Sequence, residues 1–557
     1  MTLSPLGDSA LVLSLGPEVE ATTLDRVSAI ATEIARRRLP GVVDVLPAFA
    51  SVTVFYDVTR IGSYEALAAS LRAVVADFDS VSGTASDGVG GRLIEIPVCY
   101  GGEYGPDIEE VAAHTGFAPA EVARRHAAAE YRVHAIGFVP GFAYLGGLPP
   151  ELHTPRRKSP RPQVAAGAVG IGGAQTGVYP LATPGGWNLI GRTPLRLFAA
   201  DRAEAALLRA GDRVKFTPVS AAAFDAAAAA ATAYPPSGDR AGRPAAPPGM
   251  RVQQAGMLTT VQDLGRRDRR GEGVPIGGAA DAFALRLANL LVGNPETAAA
   301  LELTLLGPEL VFERDVVVAL TGAEFAGLRR DRAVRVGAGE VLKLGPASRG
   351  CRGYLAVSGG IDVPPVLGSR GTYLRARLGG WEGRALRAGD RLPLGDARRL
   401  VDEHWRIDER ILPAYATTPT LRVVRGTQAD EFPAGWAAAP GAEFKVSPQS
   451  DRMGVRLQGA PLARAASVEL RSMPVVPGTV QVPPDGQPIL LLADAQTLGG
   501  YPQLAHVISA DLPLAAQLRP GDGVRFEEVT LAEAHRLTLA RERALALLRE
   551  GLAGKFA

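Results

Sequence analysis

Two segments of the chain repeat the same combination of polar groups. The stretch "GAQTGVYPLATPGGW" (173–187) places Gln175 and Tyr179 among glycines and prolines, and "QTLGGYP" begins at Gln496. Glycine and proline fix unusual backbone conformations, and glycine lets main-chain N–H groups approach a ligand closely. Glutamine both donates and accepts hydrogen bonds, which matches a ligand with adjacent N–H and C=O groups, such as a lactam, amide or urea. The repeat predicts two related sites or one composite site.

A carboxylate stands just before the second copy. Asp494 directly follows the apolar run "PILLLA", so we expect it at the end of a buried strand, where desolvation can tune it for general base catalysis. The alternative is a structural aspartate that caps the turn before Gln496. Asp281 and Asp263 are similarly ambiguous, because the first can begin the helix "AFALRLANLLVG" and the second can hold the turn to Gly265.

A basic run could bind an anion. Arg156, Lys158 and Arg161 precede the first glycine-rich segment, and guanidinium or ammonium groups bind carboxylate or phosphate through charge-assisted hydrogen bonds. The alternative interpretation is a solvated loop.

Several functional classes are excluded by the sequence. The formal net charge of +2 gives no field that favours nucleic acid. Cys99 and Cys351 are far apart and no CxxC or HExxH motif occurs, so we predict no metal site and a reducing, cytoplasmic location. There is no GxxxxGK[ST] loop and no lysine between methionines. We therefore expect no P-loop, no covalently attached biotin, and no export signal or membrane span.

The elements that position these groups are mainly β-strands. Residues 1–85 alternate between strand and helix patterns, whereas short β runs bounded by glycine and proline dominate after residue 90. Three near copies, "LRAGDRVKF" at Leu208, "LRAGDRLPL" at Leu386 and "LRPGDGVRF" at Leu518, each predict a turn that leads into a strand. Proline and glycine at 234–250 indicate a linker between two halves that we expect to fold separately. The final helix is interpreted as a packing element.

A family resemblance follows from longer motifs. "GFVPGFAYLGGLP" and "GAVGIGGAQTGVYPLATPGGWNLIGRTP" resemble the B subunit of 5-oxoprolinase, also called allophanate hydrolase subunit 1. From about residue 255, "GMLTTVQDLGR", "GYLAVSGGIDVPPVLGSRGTY", "SDRMGVRL" and "QVPPDGQPILLLADAQTLGGYP" resemble the C subunit of the same enzyme. The matches cover nearly the whole chain outside the linker.

The resemblance implies an α+β, mainly β fold: cyclophilin-like β-barrel domains with a small N-terminal α/β sandwich domain. The domains expected are 1–85 (small α/β domain), 86–233 (cyclophilin-like), 234–250 (linker), 251–345 (first cyclophilin-like part of the half that resembles the C subunit) and 346–557 (second part with the terminal helix). It also implies ATP-dependent opening of 5-oxoproline to L-glutamate together with a separate A subunit, and kinship with the carboxyltransferase domain of urea carboxylase.

Site residues are carried over by motif. The matching positions for substrate binding are Gln175, Tyr179, Trp187, Arg192, Asp263, Arg266, Asp281 and Thr497, and those for catalysis are Asp494, Gln496, Tyr501 and Arg452. In the 5-oxoprolinase hypothesis Asp494 is the base for the lactam N–H, Gln496 or Gln175 donates to the lactam oxygen, and Arg266 and Arg452 bind the transferring phosphoryl group of ATP, with or without Mg²⁺.

Two other functions stay open at this point. Carboxyl transfer from carboxybiotin to a urea-like nitrogen needs nearly the same pocket, because that acceptor also presents N–H beside C=O. A regulator that binds a sensor histidine kinase through the N-terminal half is the third alternative. The expected partners are a protein like the A subunit of 5-oxoprolinase and a small lactam or amide, with neither nucleic acid nor a membrane.

Overall fold

The computed structural model describes residues 1–16, 20–82, 91–232, 249–397, 407–437, 443–466 and 470–556. The predicted linker at 234–250 lies outside the described residues except for Gly249 and Met250, and Met250 already begins a strand. The described chain is mostly β, as predicted. None of the helices within these ranges has an apolar stretch long enough to cross a bilayer.

The first elements form a small α/β unit. They are β1 (Thr2–Leu6), β2 (Ala10–Ser14), α1 (Ala21–Arg37), β3 (Val42–Ala48), β4 (Ser51–Tyr56) and α2 (Tyr64–Ser82). The strands pair in the order β1-β2-β4-β3. Helix α1 buries Leu24, Val27, Ile30 and Ile34, whose spacing of three and four residues puts them on one helix face against the sheet.

The remainder of the N-terminal half forms a barrel. Its elements are β5 (Leu93–Tyr100), α3 (Ile108–Thr115), α4 (Pro119–Ala128), β6 (Glu130–Ile136), β7 (Ala143–Gly146), β8 (Arg161–Val164), β9 (Ala168–Gly172), β10 (Gln175–Val178), β11 (Thr183–Gly185), β12 (Asn188–Arg192), β13 (Arg213–Pro218) and α5 (Ala221–Thr232). The order continues from β3 through β6-β13-β5-β12-β9-β10-β7, and β7 also pairs with β6. That last pairing closes seven strands into a ring.

The C-terminal half begins with two open sheets. Its elements are β14 (Met250–Gln254), β15 (Leu258–Gln262), α6 (Ala282–Leu291), β16 (Ala300–Thr304), β17 (Glu309–Phe312), β18 (Val316–Phe325), β19 (Ala333–Val336), β20 (Val341–Lys343), β21 (Ala347–Val357) and β22 (Arg391–Leu392). The sheets have the orders β20-β17-β14-β22 and β15-β16-β21-β18-β19, and one apolar core lies between them.

The predicted boundary at residue 345 is wrong for this unit. Strands β21 and β22 lie beyond residue 345, yet β21 pairs with β16 and β18, and β22 pairs with β14. The unit is also not a closed barrel in the described residues, because its strands divide into two sheets. The sheet is completed by β22, which lies far along the chain from β20, so local sequence signals do not mark where the unit ends.

A second closed barrel follows. Its region contains β23 (Thr420–Arg425), β24 (Phe444–Val446), β25 (Gly454–Gln458), β26 (Met473–Pro474), β27 (Thr479–Gln481), β28 (Ile489–Leu491), β29 (Leu498–Gly499), β30 (Gln503–Val507), α7 (Leu512–Ala516), β31 (Gly523–Glu528) and α8 (Leu531–Phe556). The barrel order is β23-β30-β27-β28-β25-β24-β31. The short strands β26 and β29 pair with each other outside it.

The three repeated turns have the same geometry. Their glycines, Gly211, Gly389 and Gly521, have φ angles of 89°, 91° and 91°, a left-handed region that glycine adopts without strain. In each turn the aspartate after the glycine accepts a hydrogen bond from the backbone N–H three residues earlier, at 2.9, 2.7 and 2.8 Å. Each turn leads directly into a strand, β13, β22 or β31, as predicted.

The two halves pack against each other through partly buried polar contacts. Ser509 donates to Asp8 from both its N–H (2.9 Å) and its hydroxyl (2.7 Å), and His535 of α8 contacts the hydroxyl of Tyr56 at 3.1 Å. Arg270 forms an ion pair with Asp44 at 3.1 Å. Helix α8, which the sequence predicted to be a packing element, contacts the N-terminal half through His535.

Candidate functional site

A buried ion pair lies at one end of the second barrel. Arg452 lies two residues before β25 and Asp494 follows β28, and these strands pair antiparallel, so the two residues come side by side. The Arg452 guanidinium donates from Nε and Nη2 to the two oxygens of Asp494, both at 3.0 Å. The exposed fractions of Arg452 and Asp494 are 5% and 4%. This bidentate geometry fixes the orientation of the Asp494 carboxylate.

Arg452 is also held from its other side by Glu302 of β16. Its Nη1 donates to Glu302, and its Nη2 donates to the Gly278 carbonyl at 2.5 Å. Glu302 in turn accepts hydrogen bonds from the Tyr354 hydroxyl at 2.8 Å and from the Ala280 N–H at 3.0 Å. All three guanidinium nitrogens of Arg452 are therefore engaged by the protein. The sequence prediction that Arg452 binds a phosphoryl group or substrate carboxylate does not fit this arrangement.

The electrostatics of the two carboxylates differ. Burial raises the pKa of Asp494 above its ordinary value, and the Arg452 guanidinium limits that rise. Burial acts on Glu302 in the same direction, but Arg452 and Arg352 hold the pKa of Glu302 below its ordinary value. Of the pair, Asp494 is the carboxylate suited to accept a proton.

Arg266 lies beside Asp494 and differs from Arg452. Its Nη2 donates to the Gly371 carbonyl at 2.6 Å, but its buried Nε and Nη1 have no hydrogen-bond partner among the described residues. A Cβ atom on Gly277 would lie 3.7 Å from both Arg266 Nη1 and Asp494 Oδ1. Arg266 is 1% exposed, and burial lowers its pKa while Asp263 and Asp494 oppose that change. Several other arginines in the described ranges leave one buried nitrogen unpaired, whereas Arg266 leaves two, which makes it a candidate to bind a ligand.

Two further hydroxyl groups lie near Asp494, that of Tyr373 in space and that of Thr497 three residues along the chain. Burial raises the pKa of Tyr373, and the charge of Asp494 adds to the increase. Thr497 is 3% exposed, and its hydroxyl has no partner in the described part of the chain. We call Arg266, Tyr373, Arg452, Asp494 and Thr497 the polar cluster. The sequence analysis missed Tyr373 and Glu302.

Asp263 and Asp281 serve the backbone in this structure. The Asp263 carboxylate accepts from the Gly265 N–H at 2.9 Å and from the Arg370 N–H at 2.6 Å. Asp281 caps α6 by accepting from the Ala284 N–H at 2.9 Å, and it is fully buried. Asp263 therefore holds a turn and Asp281 caps a helix, the structural roles considered from the sequence. Their roles in substrate binding remain predictions.

The first glycine-rich motif builds an aromatic cluster in the N-terminal half. Phe142 packs against Tyr179 and Trp187 with ring centroids 5.3 and 5.6 Å away. Burial raises the pKa of Tyr179 to about 12. A Cβ atom on Gly172 would lie 2.7 Å from the Trp187 ring, and one on Gly185 would lie 2.4 Å from the Tyr179 hydroxyl. The glycines are thus required for these aromatic side chains to pack where they do.

The second repeated motif packs against the N-terminal half. Leu498, two residues after Gln496, belongs to the same apolar cluster as Tyr179 and Trp187. A Cβ atom on Gly137 would lie 2.5 Å from Leu498, so the backbone of the first half approaches this side chain closely. Whether the two motifs form one composite site or two related sites stays a prediction.

The remaining predicted residues differ in burial and in partners. Gln175 begins β10 and Gln496 lies in the loop between β28 and β29, and both are half-buried. Tyr501 is 45% exposed. Arg192 donates from Nε to the Ala166 carbonyl at 2.9 Å. The roles predicted for these four residues remain untested.

The basic run is partly used within the protein. Arg161 donates to Asp107 at 2.5 Å, and Asp107 is buried, so Arg161 serves to neutralise it. Arg156 and Lys158 are exposed. Among the described residues no group of three or more histidine, cysteine, aspartate or glutamate side chains could hold a metal ion.

Two family models match the chain. The carboxyltransferase domain, subdomain C and D, matches residues 1–208, and the carboxyltransferase domain, subdomain A and B, matches residues 272–528. Together they account for most of both halves.

Curated relatives match each half separately. The C subunit of 5-oxoprolinase from Escherichia coli (strain K12) is 44% identical over 292 residues, which are 51% of this chain and 93% of that protein. The B subunit of 5-oxoprolinase from Bacillus subtilis (strain 168) is 45% identical over 222 residues, 39% of this chain and 92% of that protein. The urea amidolyase of Lachancea kluyveri is 32% identical over 329 residues, but these are only 18% of its length.

A solved structure matches the whole architecture. The crystal structure of TTHA0988 has a TM-score of 0.79 and 35% sequence identity, covering 93% of this chain and 99% of that one. The chain belongs to the carboxyltransferase-domain family that includes the B and C subunits of 5-oxoprolinase, and it joins counterparts of both in one polypeptide.

Proposed function

We propose that this protein is the fused B and C component of an ATP-dependent 5-oxoprolinase, which opens 5-oxo-L-proline to L-glutamate together with a separate A subunit. The observation that carries the proposal is the length of the matches: one chain spans 93% of the length of a 5-oxoprolinase C subunit, with 44% identity, together with 92% of the length of a B subunit, with 45% identity. The close packing of Leu498, in the second repeated motif, against Gly137 of the N-terminal half also supports it, because it joins the two halves.

The polar cluster has groups suited to this reaction. An amide is a weak electrophile, and phosphorylation of its oxygen by ATP makes the ring carbon susceptible to water. Asp494 accepts the lactam N–H proton as the oxygen is phosphorylated, because burial gives it a raised pKa and Arg452 fixes its orientation. Arg266 uses its unpaired Nε and Nη1 to bind the developing charge on the oxygen or on the phosphoryl group.

Arg452 has a positioning role in this proposal. Because its nitrogens are engaged by Asp494, Glu302 and the Gly278 carbonyl, it orients the base without touching the substrate. Glu302 and Tyr354 extend the same support. The Gln175 and Gln496 amides complete the proposed recognition of the lactam N–H and C=O.

A second candidate function is carboxyl transfer to the nitrogen of urea or a related amide. It is favoured by the two carboxyltransferase models and by the 32% identity to a urea amidolyase. Asp494 would serve that reaction too, by accepting a proton from the acceptor nitrogen. The higher identity to the 5-oxoprolinase subunits makes carboxyl transfer the less supported function.

The test is reconstitution. The purified chain is mixed with 5-oxoproline, ATP and Mg²⁺, with and without the A subunit of a 5-oxoprolinase, and L-glutamate and ADP are measured. We expect both products only in the complete mixture. Asp494→Asn should abolish most of this turnover, whereas the matched control Asp485→Asn, an exposed aspartate in the same segment, should not. Carboxylation of urea by added carboxybiotin, without glutamate formation, would favour the second candidate.

A further inference from the structure

A cavity of about 340 Å³ lies in the C-terminal half, behind the polar cluster. Its apolar walls include Ile276, Phe283 and Leu492, and its polar edge includes Arg267, Arg541 and Arg286. The volume is at the small end of ligand sites, so it suits a small metabolite and not a nucleotide. It is a different space from the surface hollow of about 500 Å³ beside Leu195 and Arg196, with which it shares no lining residue.

The three arginines on the cavity edge differ in their partners. Arg286 is neutralised, because it pairs with Glu542 at 2.6 and 2.8 Å and with Glu296 at 2.6 Å. Arg541 donates to the Ala510 carbonyl and, within the described ranges, forms no hydrogen bond with a carboxylate. Arg267 is exposed, and no residue of the described ranges forms an ion pair or a hydrogen bond with its side chain. The guanidinium groups of Arg267 and Arg541 therefore lie at an apolar cavity without a direct hydrogen bond to a carboxylate of the described residues, although the charges of Asp281 and Asp511 act on Arg541.

Only a thin wall separates this cavity from the polar cluster. Gly277 and Ala493 line the cavity and are joined by a hydrogen bond from the Gly277 N–H to the Ala493 carbonyl at 3.0 Å. Ala493 immediately precedes Asp494, and the missing side chain of Gly277 would lie 3.7 Å from Asp494 and from Arg266. A ligand in the cavity would contact the same backbone that positions the base.

We propose that this cavity binds a small carboxylate with an apolar carbon skeleton, its carboxylate on Arg267 and Arg541 and its carbon atoms against Phe283 and Leu492. Guanidinium groups match carboxylates in geometry, and the apolar walls favour such a molecule over inorganic phosphate. The binding site itself is independent of the proposed 5-oxoprolinase activity. That 5-oxoproline or L-glutamate is the natural occupant rests on that function.

The test is isothermal titration of the full chain with butanoate, 5-oxoproline, L-glutamate and inorganic phosphate. Two variants probe the cavity: Arg267→Ala removes an exposed charge, and Ala282→Leu fills the cavity from an exposed position at the start of α6. Arg329→Ala, another exposed arginine in the same half, is the matched control. Asp494→Asn reports binding at the polar cluster separately.

We expect saturable binding of at least one carboxylate, weakened at least about tenfold in Arg267→Ala and in Ala282→Leu but not in Arg329→Ala or Asp494→Asn. The proposal is overturned if no carboxylate binds below about 10 mM, if phosphate binds better than all three carboxylates, or if the two cavity variants bind as the wild type does. Turnover in the reconstituted assay is scored separately. If the wild-type chain binds a carboxylate in the cavity but forms no glutamate with the A subunit, the result counts against the proposed function alone.

Discussion

Replacing Arg266 with methionine should abolish function without destabilising the fold. Arg266 is buried, yet it makes one side-chain hydrogen bond, to the Gly371 carbonyl, and leaves Nε and Nη1 unpaired among the described residues. A side chain that is buried at such a cost and contributes so little to the protein is expected to be retained for a ligand. Methionine has a similar length and no donors.

The magnitude follows from the hydrogen bonds. The substitution leaves the Gly371 carbonyl without its partner, which destabilises the folded state by about 1–3 kcal/mol. It also removes two buried unpaired donors, which stabilises the folded state by about 1–3 kcal/mol for each donor. The attraction of Arg266 to Asp494 and Asp263 reduces that gain. We therefore expect the free energy of unfolding of Arg266→Met to lie between the wild-type value and about 2 kcal/mol above it, with Tm unchanged or raised by a few degrees.

The two measurements are thermal unfolding followed by circular dichroism and turnover in the reconstituted assay. Removing a preorganised donor to the developing charge should lower kcat by about 10²–10³. The reasoning would be refuted by a variant that unfolds more than about 3 kcal/mol more easily than wild type, because Arg266 would then be a structural residue. Turnover within threefold of wild type would refute it equally.

Four other predictions follow from named contacts. Arg452→Met leaves the Asp494 and Glu302 carboxylates buried without their shared cation, so urea unfolding should show a loss of about 3–5 kcal/mol. Asp494→Asn keeps the size of the side chain but removes the base, so kcat should fall by about 10²–10⁴ with KM little changed, as measured by steady-state kinetics. Burial raises the pKa of Asp331 to about 6, so the folded state binds its proton more tightly than the unfolded state and loses stability as the pH rises from about 4 to 6. Asparagine tolerates the left-handed φ of 61° at this position. Asp331→Asn should therefore raise Tm at pH 7.5 but not at pH 4, and an equal change in Tm at both pH values would contradict this. Proteolytic cleavage between residues 233 and 248 should leave two fragments that co-elute in gel filtration because of contacts such as Ser509 to Asp8, and separate elution would show that the interface is weak.

Local features of the fold could be predicted from the sequence. The "GD" turns fix a left-handed glycine and a side-chain hydrogen bond within a few residues, and the apolar spacing of α1 fixes its buried face. The end of the unit that begins at β14 could not be predicted, since it depends on which distant strands pair, and β21 and β22 extend that unit beyond residue 345. A turn signal marks where a strand ends but does not identify the strand's partner.

The candidate site was predicted in part. Motif resemblance identified Asp494, Arg452 and Arg266, but sequence could not show that Arg452 is saturated while Arg266 is not. Glu302 was missed because a single glutamate in the strand "ALELT" has the pattern of a solvent-facing position. In the structure both faces of that strand are covered, and Glu302 is 1% exposed. Its role depends on a contact with Arg452, 150 residues away.

The most direct test of the central claim is product formation by the reconstituted complex. The chain, a 5-oxoprolinase A subunit, ATP and 5-oxoproline are combined, and glutamate and ADP are measured over time against mixtures that lack one protein. We predict glutamate and ADP in equal amounts from the complete mixture and none from either protein alone. Failure of the complete mixture to form glutamate, with both proteins folded and bound to each other, would contradict the assignment of this chain to 5-oxoprolinase.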